Sequence, residues 1–115
     1  MVNPYEKLAN GIIEQAVKDY RRARKYLKKH PRTEELEATV AAQLAEKKKR
    51  REERVKLNLS REREKRSKEE RLLDNIRSNE RMVSETEQFF LSDWFSDLTE
   101  INGKWLLERL KQEVG

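Results

Sequence analysis

The side chains whose types and spacing could do chemistry here are cationic. Lys47, Arg50, Arg51 and Arg54 stand at i, i+3, i+4 and i+7, so on a helix they form one charged stripe about two turns long. Such a row neutralises phosphates without reading bases, giving sequence-independent, salt-sensitive affinity. Lys48 lies beside it, and on a continuing helix Arg61, Lys65 and Lys68 prolong the same face. A second basic run, Lys18 to Lys29, holds Arg21, Arg22, Lys25 and Lys28 with Tyr20 and Tyr26 interleaved. Tyr20 falls on an apolar stripe and reads as core. Tyr26 is more open, but one aromatic ring makes a poor platform for stacked bases. The competing reading of both runs is a solvated, salt-bridged face that keeps helices soluble.

Other chemistry finds little material. The single histidine, His30, directly precedes Pro31 and reads as a cap on a helix C-terminus, where a cation or donor is favoured. There is no cysteine, hence no thiolate metal site. Gly11, Gly103 and Gly115 are isolated, which excludes a glycine-rich phosphate loop. The neighbouring carboxylates Glu34/Glu35 and Glu69/Glu70 sit among many charges, an expected solvated setting that does not lift a carboxyl toward neutral pH as acid/base catalysis needs. The expectation is a protein without enzymatic activity, cofactor or metal.

Composition supports a small helical protein rather than a thick α/β enzyme. Of 115 residues, 43% are charged and 35% hydrophobic, with a net charge of +5; globular averages are about 25% and 45–50%. No stretch approaches the roughly 20 apolar residues of a membrane span, and nothing calls for an oxidising compartment. A cytoplasmic protein with no membrane partner is the default expectation. The basic surplus belongs to residues 1–83, because residues 84–115 carry three basic and seven acidic side chains. That asymmetry separates a part facing polyanions from a part made for packing or docking.

The elements that must position these charges are helices. Gly and Pro are absent from residues 32 to 102, a stretch rich in Glu, Lys, Arg and Leu, so the fold class is all-α. Ile12, Ile13, Ala16, Val17, Tyr20, Ala23 and Leu27 predict a first helix from about Asn10 to His30, ended by Pro31. Thr33 is the expected cap of a second helix, with Leu36, Val40, Ala41 and Leu44 as its apolar face. From Lys47 to Arg71 that face disappears, leaving a charged stretch that cannot bury itself. The pairs Glu46/Arg50, Glu52/Lys56, Glu62/Arg66 and Glu64/Lys68 would support helix there by only about 0.3–0.5 kcal/mol each.

The apolar pattern resumes with Leu72, Ile76, Asn79, Val83, Thr86 and Phe90 at near-heptad spacing. Ser92 then reads as the cap of a short helix with Trp94, Phe95 and Leu98, and Asn102 as the cap of a last helix with Trp105, Leu106, Leu107 and Leu110. The cluster Trp94, Phe95, Trp105 is expected to be core more than docking surface. Two geometries stand for the middle. In the favoured hairpin, Val55 to Ser60 is the tip, Asn58 ends one helix, Ser60 caps the next, Leu44 faces Leu72/Leu73 and Val40 faces Ile76. In the other, one helix runs unbroken from about residue 34 to 91.

Two segments carry a resemblance. Ile12-Ile13-Glu14-Gln15-Ala16-Val17-Lys18-Asp19-Tyr20-Arg21-Arg22-Ala23 and Phe89-Phe90-Leu91-Ser92-Asp93-Trp94-Phe95-Ser96-Asp97-Leu98-Thr99-Glu100-Ile101-Asn102-Gly103 resemble a family of small helical proteins of phages and mobile elements of Gram-positive bacteria. The likeness covers the apolar framework and brings no catalytic residue. The family joins these ends by a short link, where this chain inserts the charged stretch around Lys47 to Arg71. Such a setting implies an expected counter-defence role of the anti-CRISPR type. A basic arm mimics DNA poorly, so it would act by binding guide RNA or an acidic surface of an RNA-guided nuclease, against assembly or DNA loading.

The reading is thus one domain over residues 1–115, with a small helical core from 10–46 and 72–115 and a charged helical arm, hairpin or extended helix, over 47–71. Its expected contacts with nucleic acid, RNA or DNA, or a nucleoprotein are Lys47, Lys48, Arg50, Arg51 and Arg54, then Arg21, Arg22, Lys25 and Lys28. The alternative is a structural or assembly protein, a homodimer packed through Leu72 to Phe90 like a coiled coil, with charge serving solubility.

Overall fold

The computed structural model describes residues 4–60 and 64–113, and the regular elements among them are all helices, with no strand. Five helices follow in order: α1 Pro4–Lys29, α2 Glu34–Lys56, α3 Lys68–Phe90, α4 Asp93–Leu98 and α5 Gly103–Glu113. They divide between two compact units. One holds the described residues through His30 and from Ser78 onward, and the other holds Pro31–Arg77. Residues 31–46, expected in the core, therefore group with the charged hairpin.

Helix α1 begins at Pro4, six residues before the expected start at Asn10. Proline in the first turn forfeits no helical hydrogen bond and presets φ for the helix. At the other end, His30 N donates to Tyr26 O at 2.9 Å, and His30 Nδ1 lies 3.1 Å from the same carbonyl. The imidazole also stacks on the Tyr26 ring at 4.2 Å, so His30 caps the helix as its position implied.

In this first unit the core comprises Ile13, Tyr20, Phe90, Phe95, Leu107 and Leu110, with Ala16, Val17, Val83, Phe89, Leu98 and Leu106 packed against it. Aromatic edges organise its centre: Tyr20 meets Phe90 at 6.1 Å, and Phe95 meets both Phe90 at 5.8 Å and Phe89 at 5.5 Å. The Tyr20 hydroxyl donates to Glu87 Oε1 at 3.0 Å. Burial, reinforced by that hydrogen bond, pushes the phenol above its ordinary value. Ser92 Oγ accepts from Phe95 N at 3.2 Å and Asn102 Oδ1 from Trp105 N at 3.0 Å, so both expected caps open their helices. Only Phe95 of the aromatic trio is core, however. Trp94 and Trp105 are each 55% exposed, because each lies on the outer side of its short helix; Arg109 covers the Trp105 ring at 5.6 Å.

The second unit is a hairpin, so the unbroken helix does not form. Thr33 Oγ1 accepts from Leu36 N at 3.1 Å to open α2. Its C-terminus closes on Asn58, whose φ of 56° is left-handed. Leu59 N reaches back to Arg54 O at 2.9 Å and Asn58 N to Val55 O at 3.1 Å, the paired bonds of a Schellman ending. Ser60 does not cap the next helix. That role falls to Ser67, whose Oγ accepts from Glu70 N at 3.0 Å, because α3 starts only where apolar residues return.

Val40, Leu73 and Ile76 are buried, while Leu44 is 46% exposed. The seam beside Val40 is filled by polar side chains. Gln43 Nε2 donates to Glu69 Oε2 at 3.3 Å, and Ser67 Oγ donates to Gln43 Oε1. The backbone amide at the start of α3 and the bond from Gln43 hold the Glu69 carboxyl below its usual range. The expected helical pairs Glu46/Arg50, Glu52/Lys56 and Glu64/Lys68 stay open, and Glu62/Arg66 lies outside the described residues. Charges instead close across the hairpin or its connection, as Lys47–Glu70, Arg51–Glu64 and Arg66–Asp74.

Candidate nucleic-acid interface

Each unit presents cations, and the helices decide which of them point outward. On α1 the buried positions Ile13, Tyr20 and Ala23 fix the inner face. At about 100° per residue, Lys18, Arg22, Lys25 and Lys29 at i, i+4, i+7 and i+11 fall together on the opposite face, and all four are exposed. The stripe is about 16 Å long at 1.5 Å per residue, the length of about five phosphates along one strand.

Local pairing leaves this stripe mostly unspent. Lys18, Lys25 and Lys29 have no ion or hydrogen-bond partner among the described residues. Arg22 Nη2 meets Asp19 Oδ1 at 2.9 Å, yet its side chain stays 75% exposed. Arg21 is different: its guanidinium grips both Glu113 oxygens at 2.7 Å, fastening α1 to the end of α5. That bond raises the Arg21 pKa and lowers the Glu113 carboxyl. Lys28 is exposed on the adjoining flank. Tyr26 spends one ring face on His30, and Arg24 turns inward, its guanidinium 5.4 Å from the Tyr20 ring centroid.

On α2 the expected stripe divides. Lys47, Arg51 and Arg54 share the seam with Val40 and turn toward the returning chain. Lys47 Nζ sits 2.8 Å from Glu70 Oε1 and donates to Lys65 O at 2.9 Å. Arg51 Nε lies 3.6 Å from Glu64 Oε1. Arg54 holds Ser60 O with Nε at 3.1 Å and Nη2 at 2.7 Å. Lys48 and Arg50 occupy opposite flanks, and Lys49 and Lys56 the outer face; none of these four has a partner among the described residues. Arg61, expected to lengthen the stripe, lies outside them.

Spacing alone thus groups Lys47, Arg51 and Arg54 with Lys48 and Arg50, although the fold separates them. It also omits Lys18 and Lys29 from the expected contacts. Their alignment with Arg22 and Lys25 is visible in the sequence once the helix is phased on Tyr20 and Ala23 rather than on the run of charge.

Among the described residues no three metal-binding side chains converge, and no helix is long and apolar enough to cross a membrane. Comparison with family models, curated proteins and solved structures finds no match to this chain.

Proposed function

We propose that this protein is a non-enzymatic binder of nucleic acid or a nucleoprotein. The observation that supports this reading is the exposed row Lys18, Arg22, Lys25 and Lys29, a continuous cationic face on a helix whose opposite side is core. The outward hairpin cations Lys48, Lys49, Arg50 and Lys56 supply a second set. Cations of this type release counterions from the phosphate backbone and carry little sequence information.

The resemblance of residues 12–23 and 89–103 to small proteins of phages and mobile elements favours a nucleoprotein as the natural target, with counter-defence as the outcome. On that reading the cations engage guide RNA or an acidic protein surface of an RNA-guided nuclease and hinder assembly or DNA loading.

The test is a titration of labelled duplex DNA and single-stranded RNA at about 50 mM and about 200 mM salt. Replacing Lys18, Lys25 and Lys29 by Gln should weaken binding to all sequences alike. On duplex it should flatten the salt slope by about 0.9 for each phosphate no longer neutralised. Binding unchanged by the triple substitution removes the proposal. Target cleavage by a guide-loaded nuclease, undiminished by excess protein, removes the counter-defence part alone.

A further inference from the structure

Within the first unit, α1, the Ser78–Phe90 part of α3 and α4 enclose an open groove of about 780 Å³. Its floor is apolar, made by Leu8, Ile12, Ala16, Met82 and Phe89, and Leu8 is 64% exposed. The other four are half-buried, Ala16 and Phe89 against the core, so the groove leaves part of its apolar surface open to a partner.

Two further features of the same groove say what kind of partner. Trp94 projects at its edge, 55% exposed and braced against Phe89 at 5.3 Å. Gly11 leaves its part of the groove wall open, since a Cβ placed there would meet nothing within 4 Å. Glycine inside a helix is less stable than alanine by about 1 kcal/mol, and no neighbour among the described residues requires it. A projecting ring and an open groove on one face fit a second copy of that face. The rim charges agree. Lys7 and Glu85 both line the groove, are exposed and have no partner among the described residues. One cation and one anion on a single rim become two ion pairs when the surface meets itself across a two-fold axis, because an isologous interface presents each pairing twice.

We propose that this groove is a self-association surface, in which Trp94 of each copy seats over Gly11 of the other while Lys7 and Glu85 pair across the axis. It shares Met82, Thr86 and Phe89 with the Leu72 to Phe90 face considered from the sequence, whose Leu73, Ile76 and Phe90 are buried in the chain itself.

The test measures molar mass by light scattering from dilute solution up to about 100 µM, where an interface of micromolar Kd is filled. The expected result is a dimer that dissociates on dilution. Gly11→Leu places a side chain in the groove but improves helix propensity. It should therefore raise the unfolding temperature of the dilute monomer while weakening the dimer at least tenfold. Lys7→Glu and Glu85→Lys should each weaken the dimer at low salt, and the double swap should restore it, a recovery that a merely structural role for either residue would not give. A chain that is monomeric at every concentration overturns the proposal and leaves the groove to a different protein. A dimer indifferent to Gly11→Leu and to the charge swap overturns it too.

Discussion

Lys47 Nζ lies 2.8 Å from Glu70 Oε1, with the two side chains only 13% and 8% exposed. Among the described residues no hydrogen bond reaches that carboxylate oxygen, so the charge of the ammonium alone compensates its burial. Removing one partner of a buried pair strands a charge and costs about 3–5 kcal/mol, whereas replacing both by apolar groups is often neutral. Lys47→Met should destabilise the hairpin by that amount in urea unfolding, and Lys47→Met with Glu70→Leu should recover most of the loss. Equal instability of the single and double variants would show that the pair is not the cause.

The outward cations of α2 should behave oppositely. Replacing Lys48, Lys49, Arg50 and Lys56 by Gln removes no ion pair within the described residues, so stability should change by less than about 0.5 kcal/mol per site. Affinity for RNA and duplex DNA should fall together, most at low salt. Filter binding beside thermal unfolding separates these effects, and a large loss of stability would contradict the placement.

Two aromatic residues of adjacent helices should differ sharply. Phe95 is 1% exposed and Trp105 is 55% exposed. Phe95→Ala should cost about 3–5 kcal/mol through a core cavity. Trp105→Ala should cost well under half of that, although tryptophan is the larger side chain. Chemical denaturation of the two variants decides it.

Asn102 and Ser92 each accept the backbone N–H three residues on. Asn102→Ala should cost about 1 kcal/mol, within the range for lost N-caps. Faster amide exchange should be confined to the first turn of α5. Exchange spread evenly over the whole unit would contradict a local cap.

The link between α1 and the end of α5 should fail in acid. Arg21 lowers the Glu113 pKa by hydrogen bonding and charge. A carboxyl depressed in the folded state gives its full stabilisation above the unfolded value and loses it as pH falls through the folded one. The Glu113 carboxyl should therefore titrate by NMR below the ordinary carboxylate range, with protection at the end of α5 declining in step. In Arg21→Gln the titration should return to the ordinary range. An identical titration in both proteins would contradict the link.

Much of this fold was legible because capping and termination are local. Thr33, Ser92, Asn102, Asn58 and His30 act through their own neighbours in sequence, and periodicity on Tyr20 and Ala23 phases α1. Ser67 is legible too, as a serine three residues before Glu70, but the apolar restart at Leu72 draws attention away from it. The inward turn of Lys47, Arg51 and Arg54 was not legible. Cations on a helix look alike until the facing carboxylates and carbonyls are in place, and that requires the hairpin register. The exposure of Trp94 and Trp105 was equally hidden, since size and hydrophobicity predict burial while helix orientation decides it.

A methyl group at position 103 would stand 1.7 Å from the Phe90 carbonyl oxygen and 3.0 Å from the Phe95 ring. Of the twenty amino acids, only the one lacking a Cβ fits where the chain enters α5. In a saturation library this codon should therefore stay nearly blank among folded survivors, however tolerant its exposed neighbours Asn102 and Lys104 prove. The half-buried first residue of a short helix would thus show the mutational signature of a deep interior position.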